Sequence, residues 1–363
     1  MPIVLHVLIE DRGLDTFPSV YNALYLWKNQ GWSNDIATAC DCDDFMQFID
    51  RVYPLKPGCR VLPAARDLSQ ISRHYDLIIT YEPKDLEAYY IAGLLGGKRK
   101  GSRHLHHSLE IPSFAFEGNG LKKLFHRLVL RKAMGEVDLF AIQDRLRYKI
   151  LCSYFPVING KPFSIVPNSF LDAVEPMVEK LLWFDKIRKD AKTLILYIGG
   201  IERWALSTEL MDEIAALPAY TFLFSGWSRE GYHKELAGTY AQHGHIVFDV
   251  RKKSRAELNY MVSHSDIGLA IYNSTDINVS HTGLSSGKFF KYIQHNKPVI
   301  INDIPLLNSL VSRNGMGTVY TKGNLGRNIS AVMQGGKYPQ SLRNKLSFEH
   351  FYKRTIKLVN VAE

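Results

Sequence analysis

Short apolar runs alternate with longer amphipathic stretches along nearly the whole chain, the pattern of buried strands joined by crossover helices. IVLHVLIE reads as a buried first strand, SVYNALYLWKNQG as a helix ending near Gly31, and NDIATA as a second strand. DDFMQFIDRV reads as a helix capped by Asp43, and CRVLPA and DLIITYEP carry the alternation onward. DLEAYYIAGLLGG reads as a helix stopped by paired glycines. SRHLHHS, the helix LKKLFHRLVLRKAMG, the strand VDLFAIQ, the helix DRLRYKILCSYF and the strand SIVPNS complete a first half. These elements predict a doubly wound α/β domain over residues 1–170.

The text then turns irregular and charged through EPMVEKLLWFDKIRKDAK, which reads as a linker over 171–191. Alternation resumes at TLILYIGGI and runs through ELMDEIAAL, YTFLFSG, HKELAGTYAQHG, HIVFDV, RAELNYMVSHS, DIGLAIY, KFFKYIQHN, PVIIND, PLLNSLVSRNG and GTVY. A second doubly wound domain is expected over 192–340. In 341–363, Phe348, Phe351, Tyr352, Thr355 and Val359 share one helical stripe, which predicts a helix that packs back on the first domain. Ligands of open α/β sheets bind at the carboxyl ends of the strands where winding reverses, so two such domains facing each other predict a functional cleft between them.

Composition narrows the class. The chain has 363 residues, 46% hydrophobic and 12% aromatic, and no apolar run approaches the roughly 20 residues that cross a bilayer. The amino-terminal MPIVLHVLIEDRG lacks a basic leader and a small-residue cleavage site, so a cytoplasmic protein is expected. Cys40, Cys42, Cys59 and Cys152 have neither disulfide-framework nor zinc spacing and read as reduced thiols. The net charge of +9 is unevenly spread. Lys98, Arg99, Lys100, Arg103, Lys122, Lys123, Arg127, Arg131 and Lys132 face only Glu110 and Glu117, a basic concentration that attracts phosphates.

The stretch GLSSGKFFKYIQHNKPVI, residues 283–300, carries the most chemistry. Ser285, Ser286 and Gly287 lead into an amphipathic helix whose first amides and partial positive charge suit a phosphate, and Lys288 adds a full charge. A Ser-capped helix with an exposed lysine is the plain structural alternative. A Walker A loop is excluded, because Gly283 to Gly287 is one residue short and Phe289 stands where Ser or Thr must bind magnesium.

This segment resembles the donor-binding segment of GT-B-fold glycosyltransferases, in which a loop ending in Asn-Lys or Gly-Lys enters a Phe-x-Tyr helix followed by Lys-Pro-Val-Ile. YIGGIERW, FLFSGW, LNYMVSHSDIGLAIYNSTDIN, HLHHSLEIP, LFAIQDRLR and VPNS resemble the family's other elements in the right order. The resemblance implies two Rossmann-like domains facing across a cleft. It implies that Ser285, Ser286, Gly287 and Lys288 cradle a donor diphosphate opposite Gly199, Gly200 and Arg203. Tyr272 and Asn278 are implied contacts to diphosphate or sugar, and Val250 and Arg251 to the base. Many retaining members carry an E-x7-E pair, but Gly283 and Lys291 occupy those positions here. Xanthan-type glucuronosyltransferases, an inverting group, have a similar serine-lysine loop. Lys291 either reinforces leaving-group neutralisation or points into solvent.

An inverting transfer needs a base beside the acceptor hydroxyl. Glu110 is the first candidate, His107 the alternative base or a donor-sugar contact, and Asp144 the third, with capping of the next helix its plainer role. His104, His106 and His107 alternate as solvent-facing strand histidines often do. Neither His-x-His-His nor Asp41-Cys42-Asp43 has the partners of a metal site, so no metal and no cofactor beyond the nucleotide-sugar substrate is expected.

LKKLFHRLVLRK places Leu121, Leu124, Phe125 and Leu128 on one stripe among basic residues. Such a helix lies either on an anionic membrane or in a core with a solvated basic edge. With KRKGSR, Phe114 and Phe116 it forms a landing site for a lipid-linked acceptor. The expectation is therefore a hexosyltransferase-like enzyme of lipopolysaccharide or other surface polysaccharide biosynthesis. It moves a sugar from a nucleoside diphosphate to a glycan or lipid-linked glycan, inverting favoured, with peripheral contact to the inner membrane face. The rivals are a nucleotide-sugar epimerase or hydrolase of the same fold and a basic nucleic-acid-binding protein; no stacking module supports the last, so no nucleic-acid partner is expected.

Overall fold

Continuous apolar runs ended by turn residues become parallel strands, because a strand buried on both faces has no polar side to present. A computed structural model describes the chain except residues 12, 59, 97–100, 114–115, 117–119, 173–175, 274–275, 336–337 and 361–363. Lys98, Arg99, Lys100, Cys59, Phe114 and Glu117 thus lie outside the described residues. The chain divides into two units, Met1–Asn168 with Phe348–Glu363, and Ser169–Ser347.

The first unit contains β1 (Ile3–Leu8), β2 (Ser33–Thr38), β3 (Arg51–Pro54), β4 (Leu77–Thr80), β5 (Arg103–Ser108), β6 (Leu139–Ile142) and β7 (Phe163–Ile165). They form one parallel sheet in the order β3-β2-β1-β4-β5-β6-β7. The winding reverses between β1 and β4. Two polar strands are buried here. In β2, Asn34 is sequestered by donating from Nδ2 to Leu24 O at 2.7 Å and Phe48 O at 2.9 Å. In β5, His104, His106 and His107 are buried rather than solvent-facing, because β4 and β6 flank the strand and helices cover it.

The helix Phe348–Asn360 belongs to this unit and buries Phe348, Tyr352, Thr355 and Val359, while Phe351 stays half-buried. Trp27 Nε1 donates to Tyr352 Oη at 3.2 Å, and the Ser164 and Thr355 hydroxyls bond at 2.7 Å. Arg103 donates to the carbonyls of Leu358 and Val359, satisfying the last turn and placing a cation at its negative end.

The second unit contains β8 (Leu194–Gly200), β9 (Thr221–Trp227), β10 (Ile246–Asp249), β11 (Ile267–Ala270), β12 (Val299–Asn302) and β13 (Gly317–Tyr320). Their parallel order is β10-β9-β8-β11-β12-β13, with the reversal between β8 and β11. Both sheets are thus doubly wound.

Three local expectations need correction. DDFMQF forms a 3-10 helix, Asp43–Phe48, with RVYP as edge strand β3 and the α-helix only afterwards at Val61–Ser69. Asp43 does not cap it; Asp43 N–H donates to Asp41 Oδ1 at 3.0 Å. The stretch 171–191 is not a bare linker: it contains the helix Leu182–Asp190, which buries Phe184 and accepts a 2.8 Å bond at Asp185 from Tyr260 Oη within the second unit. Among the described residues no helix is long and apolar enough to cross a membrane.

Candidate functional site

Lys288 stands in the first turn of the helix Gly287–Gln294, beside the point where the second sheet reverses. The helix starts there because Ser286 caps it, its Oγ accepting from Phe289 N–H at 3.2 Å, and because Phe289, Phe290, Tyr292 and Ile293 supply a buried face. Tyr292 fixes its height. Its hydroxyl accepts from Ile198 N–H at 3.1 Å and donates to Leu196 O at 2.6 Å, inserting into the edge of β8. Gly268 makes the room, since a Cβ there would fall 2.2 Å from the Tyr292 ring.

Tyr292→Phe should therefore orphan a buried amide and a buried carbonyl at once. We expect a loss of about 1–3 kcal/mol in denaturant unfolding of the chain. An unchanged midpoint would show that this hydroxyl does not hold the helix.

The Lys288 side chain runs back along β8. Its Nζ is buried with no hydrogen-bond partner among the described residues, although the residue as a whole is half-buried. It lies 4.0 Å from the ring centre of Tyr197 and 4.3 Å from that of Tyr272. Two π faces favour the ammonium, but they do not replace hydration. Burial accordingly pushes its pKa down from 10.5 to about 7. An unpaired buried cation is costly unless something anionic arrives. Gly199, at φ +115°, brings bare backbone alongside: a Cβ there would sit 3.6 Å from Lys288 Cε and 3.8 Å from Nζ.

Tyr272 belongs to two features. Its hydroxyl bonds Ser286 Oγ at 2.6 Å, fixing the ring over Lys288. Its backbone is held by Asn302, whose Oδ1 accepts from Tyr272 N–H and whose Nδ2 donates to Tyr272 O. On that side Tyr272 lines a cavity of about 230 Å³ with Asn273, Asn302, Glu209 and Lys322, at the carboxyl ends of β11, β12 and β13.

The structure brings Gly199, Tyr272, Ser286, Gly287 and Lys288 together; the remaining residues singled out from the sequence sit in other settings. Ser285 Oγ donates to Thr282 O at 2.5 Å within the loop. Gly200 is flanked by indoles, since a Cβ there would come within 2.9 Å of Trp204 and 3.1 Å of Trp227. Arg203 is engaged with the Tyr232–Thr239 helix: its guanidinium pairs with Glu235 at 2.5 Å and covers the Tyr232 ring. Val250 is exposed at the end of β10. Arg251 donates from Nε to Asp249 at 2.7 Å and stacks over Trp183. Burial raises the Asp249 pKa, but hydrogen bonds from Arg251 and Lys253 outweigh it and hold the carboxyl below its usual range. Asn278 lies in the short Ile277–Ser280 helix, its N–H bonded to Asp276. Lys291 donates to Gln294 Oε1 at 3.0 Å, a contact along the same helix in the direction away from its mouth.

In the first unit, Glu110 is exposed just past β5. Asp144 is buried and caps Arg145–Tyr154, accepting from Arg147 N–H at 2.8 Å, its plainer role. His107 is fully buried against Tyr81, Phe348 and Tyr352, and neither ring nitrogen has a hydrogen-bond partner among the described residues. Sequence reasoning missed Tyr197, Tyr292, Gly268 and the Trp204–Trp227 pair. Only Tyr292 had a local signal, as the tyrosine of the Phe-x-Tyr helix.

No protein-family model matches the chain, and no curated protein matches its sequence. Solved structures do match its fold over 99% of its length. The crystal structure of Anabaena Alr3699/HepE in complex with UDP and glucose superposes with a TM-score of 0.71 at 14% identity, over 100% of that chain. A glycosyltransferase from Rickettsia africae ESF-5 gives 0.66 at 14% identity over 97% of its chain. WaaG, a glycosyltransferase involved in lipopolysaccharide biosynthesis, gives 0.63 at 13% over 99%. Two doubly wound parallel sheets with these neighbours make the fold GT-B.

Proposed function

We propose that the protein is a glycosyltransferase that moves a hexose from a nucleoside-diphosphate sugar to a hydroxyl of a glycan or lipid-linked glycan in surface polysaccharide assembly. The observation that carries this reading is the buried Nζ of Lys288, with no hydrogen-bond partner among the described residues, at a helix start and at the topological reversal of its sheet. HepE, bound to UDP and glucose, and WaaG, of lipopolysaccharide biosynthesis, support the donor class and the setting by their shared fold.

In this reading the second unit holds the donor. The bond from anomeric carbon to diphosphate oxygen breaks, its electron pair stays on the diphosphate, and Lys288 with the helix amides meets the growing negative charge. A fixed ammonium and dipole supply the neutralisation that other transferases take from a divalent ion, so the reaction proceeds without metal. The first unit serves the acceptor. Glu110, exposed past the end of β5, takes the acceptor proton, and attack from the face opposite the diphosphate inverts the anomeric centre.

A thermal-shift panel of nucleoside diphosphates tests the donor site. We expect one of them to raise the melting temperature by several degrees and to lose that effect in Lys288→Met. Indifference to every nucleotide, or a shift that survives the substitution, would remove the reading.

A further inference from the structure

The helix Leu121–Glu136 has two apolar faces, and the described residues cover only one of them. Leu130, Ala133 and Met134 are buried in the core formed with Leu86, Val137, Phe140 and Leu151. His126 supports the same inner side, its Nδ1 2.8 Å from buried Glu87. Leu121, Leu124, Phe125 and Leu128 follow the i, i+3, i+4, i+7 spacing and are 88%, 48%, 49% and 57% exposed. At about 100° per residue they form a stripe about 100° wide, opposite the buried one.

Four large apolar side chains within two turns exceed the scattered exposure usual on a soluble surface. On the neighbouring helix Pro83–Gly96, which packs along this one, Leu94 and Leu95 are also exposed, at 64% and 63%. Charge specifies what covers the stripe. Lys122, Arg131 and Lys132 are exposed around it, and the helix carries no acidic residue before Glu136. A protein partner with an apolar groove would not call for cations on both flanks, whereas a monolayer of acyl chains under phosphate headgroups does. Phe116 takes no part: it stacks on Tyr154 with ring centres 4.5 Å apart and joins the core.

We propose that Leu121–Glu136 is a docking surface for an anionic lipid bilayer, with Leu121, Leu124, Phe125 and Leu128 among the acyl chains and Lys122, Arg131 and Lys132 at the headgroup phosphates. The inference deepens the proposed function, on which its purpose rests, by committing that enzyme to acceptors presented at a membrane. The docking itself does not depend on donor binding.

Cosedimentation of the full chain with vesicles tests it. We expect binding to phosphatidylcholine vesicles carrying about one third phosphatidylglycerol, at least tenfold weaker binding to pure phosphatidylcholine, and release by high salt. The double variant Leu124→Ser, Phe125→Ser should lose at least tenfold in vesicle binding while keeping its melting temperature and its nucleotide shift, because both side chains lie outside the core. No sedimentation with anionic vesicles overturns the proposal. So does binding that the double variant leaves intact. A dimer that the same variant dissociates, with no vesicle binding, overturns it in favour of a second copy of the chain. Loss of the nucleotide response in the parent protein, with vesicle binding retained, would sink the donor reading and leave the docking surface standing.

Discussion

Lys288→Met should make the protein melt higher and work far less. The unbranched methionine fills nearly the same space between Tyr197 and Tyr272 but carries no charge to desolvate. Removing a buried amine that has no hydrogen-bond partner among the described residues should stabilise the second unit by about 1–3 kcal/mol, or several degrees. The gain depends on pH in a defined sense. The folded pKa of about 7 lies below the unfolded value of 10.5, so between them the unfolded chain holds a proton that the folded chain lacks. The parent therefore gains stability as pH rises from 7 toward 10.5. The advantage of the variant should be largest at and below pH 7 and fade as pH rises through that window. Turnover should fall by about 10²–10³-fold, the loss typical of removing one preorganised charge-stabilising group. A lysine that served structure alone would give the opposite pair of results, lower melting and undiminished turnover. Differential scanning calorimetry across pH and donor consumption in the presence of acceptor read the two quantities independently.

That contrast also explains what was legible in the sequence. The loop, the cap and the lysine are neighbours in the chain, and small residues before a helix state their purpose locally. The cage around Nζ is not local. Tyr197 arrives from β8 and reads in sequence as one more aromatic of a buried strand, while Tyr272, from the end of β11, is marked by the family resemblance as a diphosphate or sugar contact and not as a wall of the cage. Gly268 likewise reads as an ordinary strand glycine until the Tyr292 ring is found where its Cβ would be. Arg203 shows the converse: its place after the glycine turn suggests a phosphate contact, while in the structure its guanidinium pairs with Glu235 and covers Tyr232, both on the helix Tyr232–Thr239.

The strand sequence followed the apolar runs wherever both faces of a strand are covered, as at β4 and β8. It slipped at β3, an edge strand of four residues of which none is buried, preceded by a stretch whose helical periodicity is realised only as a 3-10 turn. Periodicity also misjudged β5, because alternating polar residues imply one wet face only when nothing packs there. His104, His106 and His107 are polar by type and core by position, and that mismatch carries an energetic consequence.

Acid should unfold the first unit near pH 4, with its buried histidines rather than ordinary carboxylate protonation driving the transition. Burial holds His6, His104, His106 and His107 at pKa values of about 3, against 6.5 in the unfolded chain. Between those values each histidine favours the unfolded state as pH falls, by about 1.4 kcal/mol per pH unit. Two carboxyls act the other way. Burial raises Asp85 and Glu87 to about 7, despite backbone amides on the one and His126 beside the other. Their contribution is full below the unfolded carboxylate range and is lost as pH rises through 7. Four histidines against two carboxyls leave a net uptake of about two protons on unfolding between pH 6.5 and 4. Below pH 4 the carboxyls no longer differ between the states, and the uptake should approach four. At about 3 kcal/mol per pH unit, a unit of ordinary stability reaches its midpoint near pH 4. His107 isolates the cause, since both its ring nitrogens are buried and have no hydrogen-bond partner among the described residues. His107→Phe should be at least as stable as the parent at pH 7, take up one proton fewer, and move the acid midpoint lower, with His107→Leu as the check against overpacking. Urea titrations at stepped pH measure all three. A substitution that costs stability at pH 7 and leaves the proton count unchanged would mean that the ring is bonded in the folded protein and that the acid sensitivity lies elsewhere.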